Sequence, residues 1–169
     1  MADRLVVGIG NPDRGDDALG WMIVRSLRTR VPADVRVVEV DGEASALLAE
    51  LQQARQAWLV DAARSGTIPG TIHRLDCSTA DLPMPPGTVS SHGFGVAEAI
   101  ALARALDTLP PRCIVYAIEA TQFTIGATPS TAVTLAAHQV AERILAELAT
   151  PPPLSAHRPP HPAPAPDRR

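Results

Sequence analysis

The sequence predicts a single-domain α/β fold with three αβα layers around a largely parallel central sheet. Residues 4 to 148 alternate short apolar runs with stretches of helical periodicity, the order of elements that builds such layers. The short runs are apolar without alternation, as in strands buried on both faces. At 169 residues, 46% hydrophobic and 20% charged, the chain has the size of one domain and enough apolar material for a real core.

The elements follow in order. Leu5-Val6-Val7 is the first strand and exits through Gly8-Ile9-Gly10-Asn11. Ala18, Leu19, Met22, Ile23, Ser26 and Leu27 make one face of a helix. Val35 to Val40 is the second strand, ending at Asp41-Gly42, and Leu47, Leu48 and Leu51 mark a helix within Ser45 to Gln53. Ala57 to Val60 is the third strand, with Asp61 at its end. A loop from Ala62 to Gly70, which Gly66 and Gly70 allow to fold back or move, leads to Gly70 to Leu75, which alternates as an edge strand. Helices are expected over Phe94 to Leu106 and Thr131 to Leu148, separated by a strand at Cys113 to Ile118 that ends in Glu119. From Pro151 onward, 8 of 19 residues are proline and no apolar periodicity remains. Residues 1–150 are therefore expected to form the domain and 151–169 a disordered or extended tail.

Composition narrows the function. Only Cys77 and Cys113 are present, without CxxC spacing, so neither a disulfide framework nor a thiolate zinc site is signalled. The net charge is −3, and residues 1–150 carry 17 acids against 12 arginines, which argues against nucleic acid as a partner. No run of 18 apolar residues and no basic leader followed by an apolar stretch is seen, so no membrane association is expected and the protein is expected in the cytoplasm. Without an obvious exposed apolar stripe, a monomer is expected.

In open α/β sheets the ligand site lies outside the carboxyl ends of the strands. Here that edge collects Asp16, Asp17, Asp41, Asp61 and Glu119, with His92 in the turn Ser90-Ser91-His92-Gly93. Charges gathered there need a cation, a substrate or mutual hydrogen bonds to compensate their lost solvation. One aspartate suffices as N-cap of the first helix; Asp16 is assigned to that cap and Asp17 to the site, with the reverse assignment open. Asp61 is read equally as a loop anchor or a site residue. His92, near a helix N-terminus, would be held neutral by the positive dipole end, the form that binds metal. Alone, it reads more readily as a loop histidine bonded to backbone. Asp17, Asp61 and His92 together would offer two hard oxygens and one nitrogen, suited to Ni(II), Zn(II), Mn(II) or Fe(II). Three ligands would leave positions for water or substrate. His73 and His138 are weaker candidates. Gly8 to Gly15 misses the dinucleotide-loop spacing, and acids follow where a pyrophosphate would dock, so no organic cofactor is expected.

Gly8-Ile9-Gly10-Asn11 with Asp16-Asp17-Ala18-Leu19-Gly20, then Val60-Asp61-Ala62, Ser91-His92-Gly93-Phe94 and Ile118-Glu119-Ala120, resemble the maturation endopeptidases of nickel-iron hydrogenases over about residues 4 to 148. The resemblance implies a phosphorylase/hydrolase-like α/β domain and a protease that removes the C-terminal extension of the hydrogenase large-subunit precursor after nickel insertion. It implies Asp17, Asp61 and His92 as the metal-contacting set, recognising nickel supplied by the substrate; Asp17 or Asp61 would then position the attacking water as general base. An aspartic-type and a metal-assisted route are both compatible with these residues. Two other functions fit parts of the chain. Gly8 to Pro12 also resembles the opening of peptidyl-tRNA hydrolases, but no histidine occurs before His73. A non-cleaving, metal-sensing chaperone for the same precursor would use the same three side chains.

Overall fold

The computed structural model describes residues 3–79, the backbone of 89–90, and residues 95–150. Among the described residues six strands form one sheet: β1 Arg4–Ile9, β2 Val35–Val40, β3 Gln56–Arg64, β4 Ile72–Asp76, β5 Val89–Ser90 and β6 Arg112–Glu119. Their main order is β2-β1-β3-β6-β4. The first four run parallel, β4 pairs antiparallel with β6 at the edge, and β5 pairs antiparallel with the end of β3. The helices are α1 Leu19–Leu27, α2 Ala44–Leu51, α3 Val96–Ala105 and α4 Thr131–Ala149. Among the described residues no helix is long and apolar enough to cross a membrane.

The predicted layers follow from side-chain alternation in a doubly covered sheet. Along β3, Trp58, Val60 and Ala62 pack with Leu19, Ile23, Val24 and Leu27 of α1 and with Val133, Val140 and Ile144 of α4. Ala57 and Leu59 point the other way, to Leu47 and Leu51 of α2 and Ala99, Ile100 and Ala103 of α3. Both faces are buried, so the strand reads as an unbroken apolar run. The chain moves from β1 to β2 in one direction and from β2 to β3 to β6 in the other. Right-handed crossovers then set α1 and α2 on opposite faces. The reversal at β1 opens a crevice between the carboxyl ends of β1 and β3, the place where such sheets hold ligands.

Two expectations need correction. β3 does not end at Asp61: it runs on through Ala62, Ala63 and Arg64, because β6 pairs with it as far as Ala63 and β5 caps its other edge there. Ala62 and Ala63 have low strand propensity, so this extension is imposed by neighbours distant in sequence. The first helical run begins as a 3-10 turn, Gly15–Ala18, which continues into α1. The tail 151–169, His92 and Phe94 lie outside the described residues.

Candidate active site

The crevice between β1 and β3 is built from short-range geometry. β1 pairs with β3 up to Gly8 opposite Val60, so Asp61 is the first β3 residue past that ladder. It is 4% exposed and follows Ala57 and Leu59 on the face covered by α2 and α3. On the other side of the crevice, the turn Gly15–Ala18 packs against β3. Asp17, in that turn, is fully buried, and its Oδ2 accepts the Asn11 backbone N–H at 3.2 Å.

The remaining acids of this edge have other employment. Asp16 is also fully buried, but it is not the helix cap that the sequence predicts. Its Oδ2 accepts the N–H groups of Thr121 at 3.0 Å and Gln122 at 2.9 Å, and its Oδ1 accepts that of Ser130 at 2.7 Å. No cap is needed, because the 3-10 turn satisfies the amides at the helix start with backbone: Asp17 donates to the Arg14 carbonyl and Leu19 to that of Asp16. Burial alone would push the Asp16 carboxyl up, and the N–H groups of Ser130, Gln122 and Thr121 hold it below its ordinary value.

Glu119 does for the loop after β3 what Asp16 does for the loop after β6. It is 2% exposed and accepts the N–H groups of Ser65 and Gly66 and the Ser65 hydroxyl, at 2.8 to 3.0 Å. Burial again opposes the charged form, while Ser65 and Gly66 bring the carboxyl below its usual value. Of the two behaviours the glycines allow, the loop folds back, with the Gly70 N–H on the Glu119 carbonyl at 2.8 Å. Asp41 is exposed and accepts the N–H of Glu43 two residues on, a local turn contact. Asp17, bonded to the Asn11 N–H at the exit of β1, and Asp61, one step past the β1 ladder, are the two buried acids nearest the switch point.

His92 falls outside the described residues. The chain enters its segment from Ser90, paired with Ala63 two residues beyond Asp61, and leaves it at Gly95. Gly95 starts α3, with its N–H on the Glu98 carboxylate at 2.8 Å. Among the described residues no group of three or more His, Cys, Asp and Glu side chains could hold a metal ion; the set read from the sequence has its third member in the segment not described. His73, passed over as an edge-strand residue, stands opposite Ala117, which itself pairs with Asp61, so it shares a row and a face with that acid. Only pairing register reveals this. Its Nε2 is buried without a hydrogen-bond partner among the described residues.

The rim carries cations and apolar groups. The Arg64 guanidinium lies 3.9 Å from the centre of the Phe123 ring, while Ile68 and Ile125 are 80% and 79% exposed on the loops after β3 and β6. Cys77 and Cys113 are free and buried on the α2/α3 face, at the opposite end of β6. Burial raises their thiols to about 11 and about 12, which makes them inert core residues at neutral pH.

A family profile described as hydrogenase maturation protease (HycI) matches residues 22–147. The chain belongs to that family. The match contains Asp61 and His92 and starts just after the turn bearing Asp17. Membership makes this maturation protease a peptidase. No protein with a curated description matches the chain by sequence.

Solved structures show the same fold. The NiFe hydrogenase maturation protease HybD from Thermococcus kodakarensis is 21% identical, with 86% of this chain and 98% of that one covered and a TM-score of 0.68. The hydrogenase maturating endopeptidase HybD from E. coli is 24% identical over 85% of this chain and 90% of its own, with a TM-score of 0.67. An endopeptidase from Escherichia coli, solved in solution, gives 20% identity, 86% and 91% coverage and a TM-score of 0.71. The crevice described above thus belongs to a maturation-protease fold, and family membership decides against the peptidyl-tRNA hydrolase likeness of Gly8 to Pro12.

Proposed function

We propose that this maturation protease cleaves the C-terminal extension from the large-subunit precursor of a nickel-iron hydrogenase, and that it does so only after nickel has entered the precursor. The observation that carries the reading is a pair of buried acids at the switch point of a maturation-protease fold: Asp17 in the turn after β1 and Asp61 just past the β1–β3 ladder. Asp16 and Glu119 hold the loops after β6 and β3 through backbone amides. Two buried carboxylates brought to one crevice suit a cation that arrives with the substrate better than one held permanently, since a bound substrate supplies both the charge and further ligands.

In this reading Asp17, Asp61 and His92 contact the substrate's nickel and so align the scissile peptide in the crevice. Ser90 is two residues from His92, a span of at most about 7 Å, and it is paired beside the end of β3. That tether supports a common site with Asp61. Nickel held by the substrate supplies Lewis acidity at the peptide carbonyl. Asp17 or Asp61 takes the proton of the attacking water, which is the aspartic-type role of the pair. The proton then passes to the departing amine as the peptide bond breaks, leaving a shortened large subunit and a free peptide. No organic cofactor takes part, and the enzyme acts as a cytoplasmic monomer.

Incubation of the purified protein with nickel-loaded precursor, followed by mass measurement of the precursor's C-terminus, tests the activity. Loss of one C-terminal peptide is expected. Stable binding without any shortening would instead make the protein a metal-sensing chaperone.

A further inference from the structure

We propose that Asp16 is a positioning residue of the reaction: it locks the turn that carries Asp17 to the loop after β6, and thereby sets where the Asp17 carboxylate stands. The inference rests on Asp17 being a site acid, as above. Three groups of contacts support it.

The first is the lock itself. Asp16 takes three N–H bonds from a segment more than a hundred residues away, from Thr121, Gln122 and Ser130. Its own N–H returns a bond to the Gln122 carbonyl at 2.7 Å. Ser130 is the N-cap of the 19-residue α4, so the carboxylate also sits at the positive end of the longest helix. A neutral side chain would not serve as well. Asparagine offers one acceptor oxygen and turns an NH2 donor toward the remaining N–H groups, leaving buried donors facing one another.

The second is that the surrounding backbone leaves little freedom. Gly15 adopts a left-handed φ of +56°, and a Cβ there would stand 2.5 Å from the Gln122 carbonyl oxygen. The Gly126 N–H bonds the Asp13 carbonyl at 2.8 Å, and Arg14 Nε reaches the Phe123 carbonyl at 3.4 Å. Residues 13 to 16 are thus held along the loop after β6 at each step.

The third is the far side of the turn. Asp17 accepts the Asn11 N–H, and a Cβ on Gly10 would meet the Asp17 carbonyl oxygen at 2.0 Å. The turn is wedged between the exit of β1 and the loop after β6. Release of the Asp16 lock frees one side of that wedge and lets Asp17, its immediate neighbour, shift. Displacements of about 1 Å at a reacting group can cost on the order of 100-fold in rate.

The test uses the full-length chain and nickel-loaded precursor, at a temperature where circular dichroism shows every variant folded. Asp16→Asn is expected to lower kcat about 10- to 100-fold with KM within about two-fold of wild type. Ser130→Pro removes one of the three donors from the opposite side, and the Ser130 φ of −65° already suits proline. It should lower kcat in the same sense. If Asp16→Asn and Ser130→Pro lower the melting temperature yet keep wild-type kcat per folded molecule, Asp16 is only a structural anchor and the proposal is overturned. Asp17→Asn runs alongside. Wild-type kcat in that variant would show that the site assignment itself has failed, a result distinguishable from failure of the lock.

Discussion

Asp16 and Asp17 are adjacent and both fully buried, yet their surroundings give them different chemistry. Asp16 is saturated by three amides of one loop, and Asp17 has the Asn11 N–H on one oxygen. Asp17→Asn and Asp61→Asn preserve shape while removing charge and basicity. Each is expected to lower processing of nickel-loaded precursor by roughly 100-fold or more, with the melting temperature within a few degrees of wild type. Turnover by precursor mass and melting by circular dichroism check the two halves of that statement. The sequence expects Asp16 as the helix cap and Asp17 at the site, with the reverse open, and it misjudges what Asp16 organises. Capping is a local rule, whereas the actual donors lie 105 to 114 residues away. His73 is hidden for the same reason, since its row is set by pairing with β6.

At the scale of elements, β1 and α1 are pressed together through glycine. A Cβ on Gly8 would stand 2.1 Å from the Gly20 carbonyl oxygen, and one on Gly20 would stand 2.3 Å from that of Ile9. This close approach lets the turn Gly15–Ala18 reach β3. Gly8→Ala and Gly20→Ala are each expected to destabilise the fold by about 1–3 kcal/mol or more, as overpacking does, and denaturant unfolding measures it. A dinucleotide reading gives Gly8 to phosphate; the structure gives Gly8, with Gly20, to strand–helix packing. Strands and helices with strong periodicity fall where the sequence puts them: the Val35–Val40 strand matches to the residue, and α4 extends the predicted helix by one residue to Ala149. The end of β3 does not, because Ala62 and Ala63 carry no strand signal of their own and follow the β6 ladder.

Across the whole molecule, Glu147 joins the last helix to the sheet. Its carboxylate accepts Trp58 Nε1 at 2.9 Å, the Tyr116 hydroxyl, and the guanidinium groups of Arg74 and Arg112 at 2.8 and 3.1 Å. Burial would raise its pKa, but the bonds from Arg74, Tyr116 and Trp58 bring it down from 4.5 to about 2. A carboxyl lowered on folding stabilises the native state fully above its unfolded value and loses that contribution as pH falls through the folded one. The effect is on the order of 3 kcal/mol. Glu147→Gln should therefore melt well below wild type at pH 7, with the gap closing between pH 4.5 and pH 2. A gap independent of pH would mean that the hub acts through packing. This hub is invisible in the sequence, where Glu147 reads as one polar position in a helix. The layered fold is legible there because a sheet covered on both faces demands apolar runs and short connections, and these survive in a single sequence.

The dependence of cleavage on the metal carried by the precursor is the most direct measure of the proposed chemistry. Purified protein is mixed with nickel-loaded and nickel-free large-subunit precursor in parallel, and the mass of each precursor's C-terminus is followed over time. Shortening of the nickel-loaded form with the nickel-free form left intact is the predicted result. Equal rates for the two forms would contradict it.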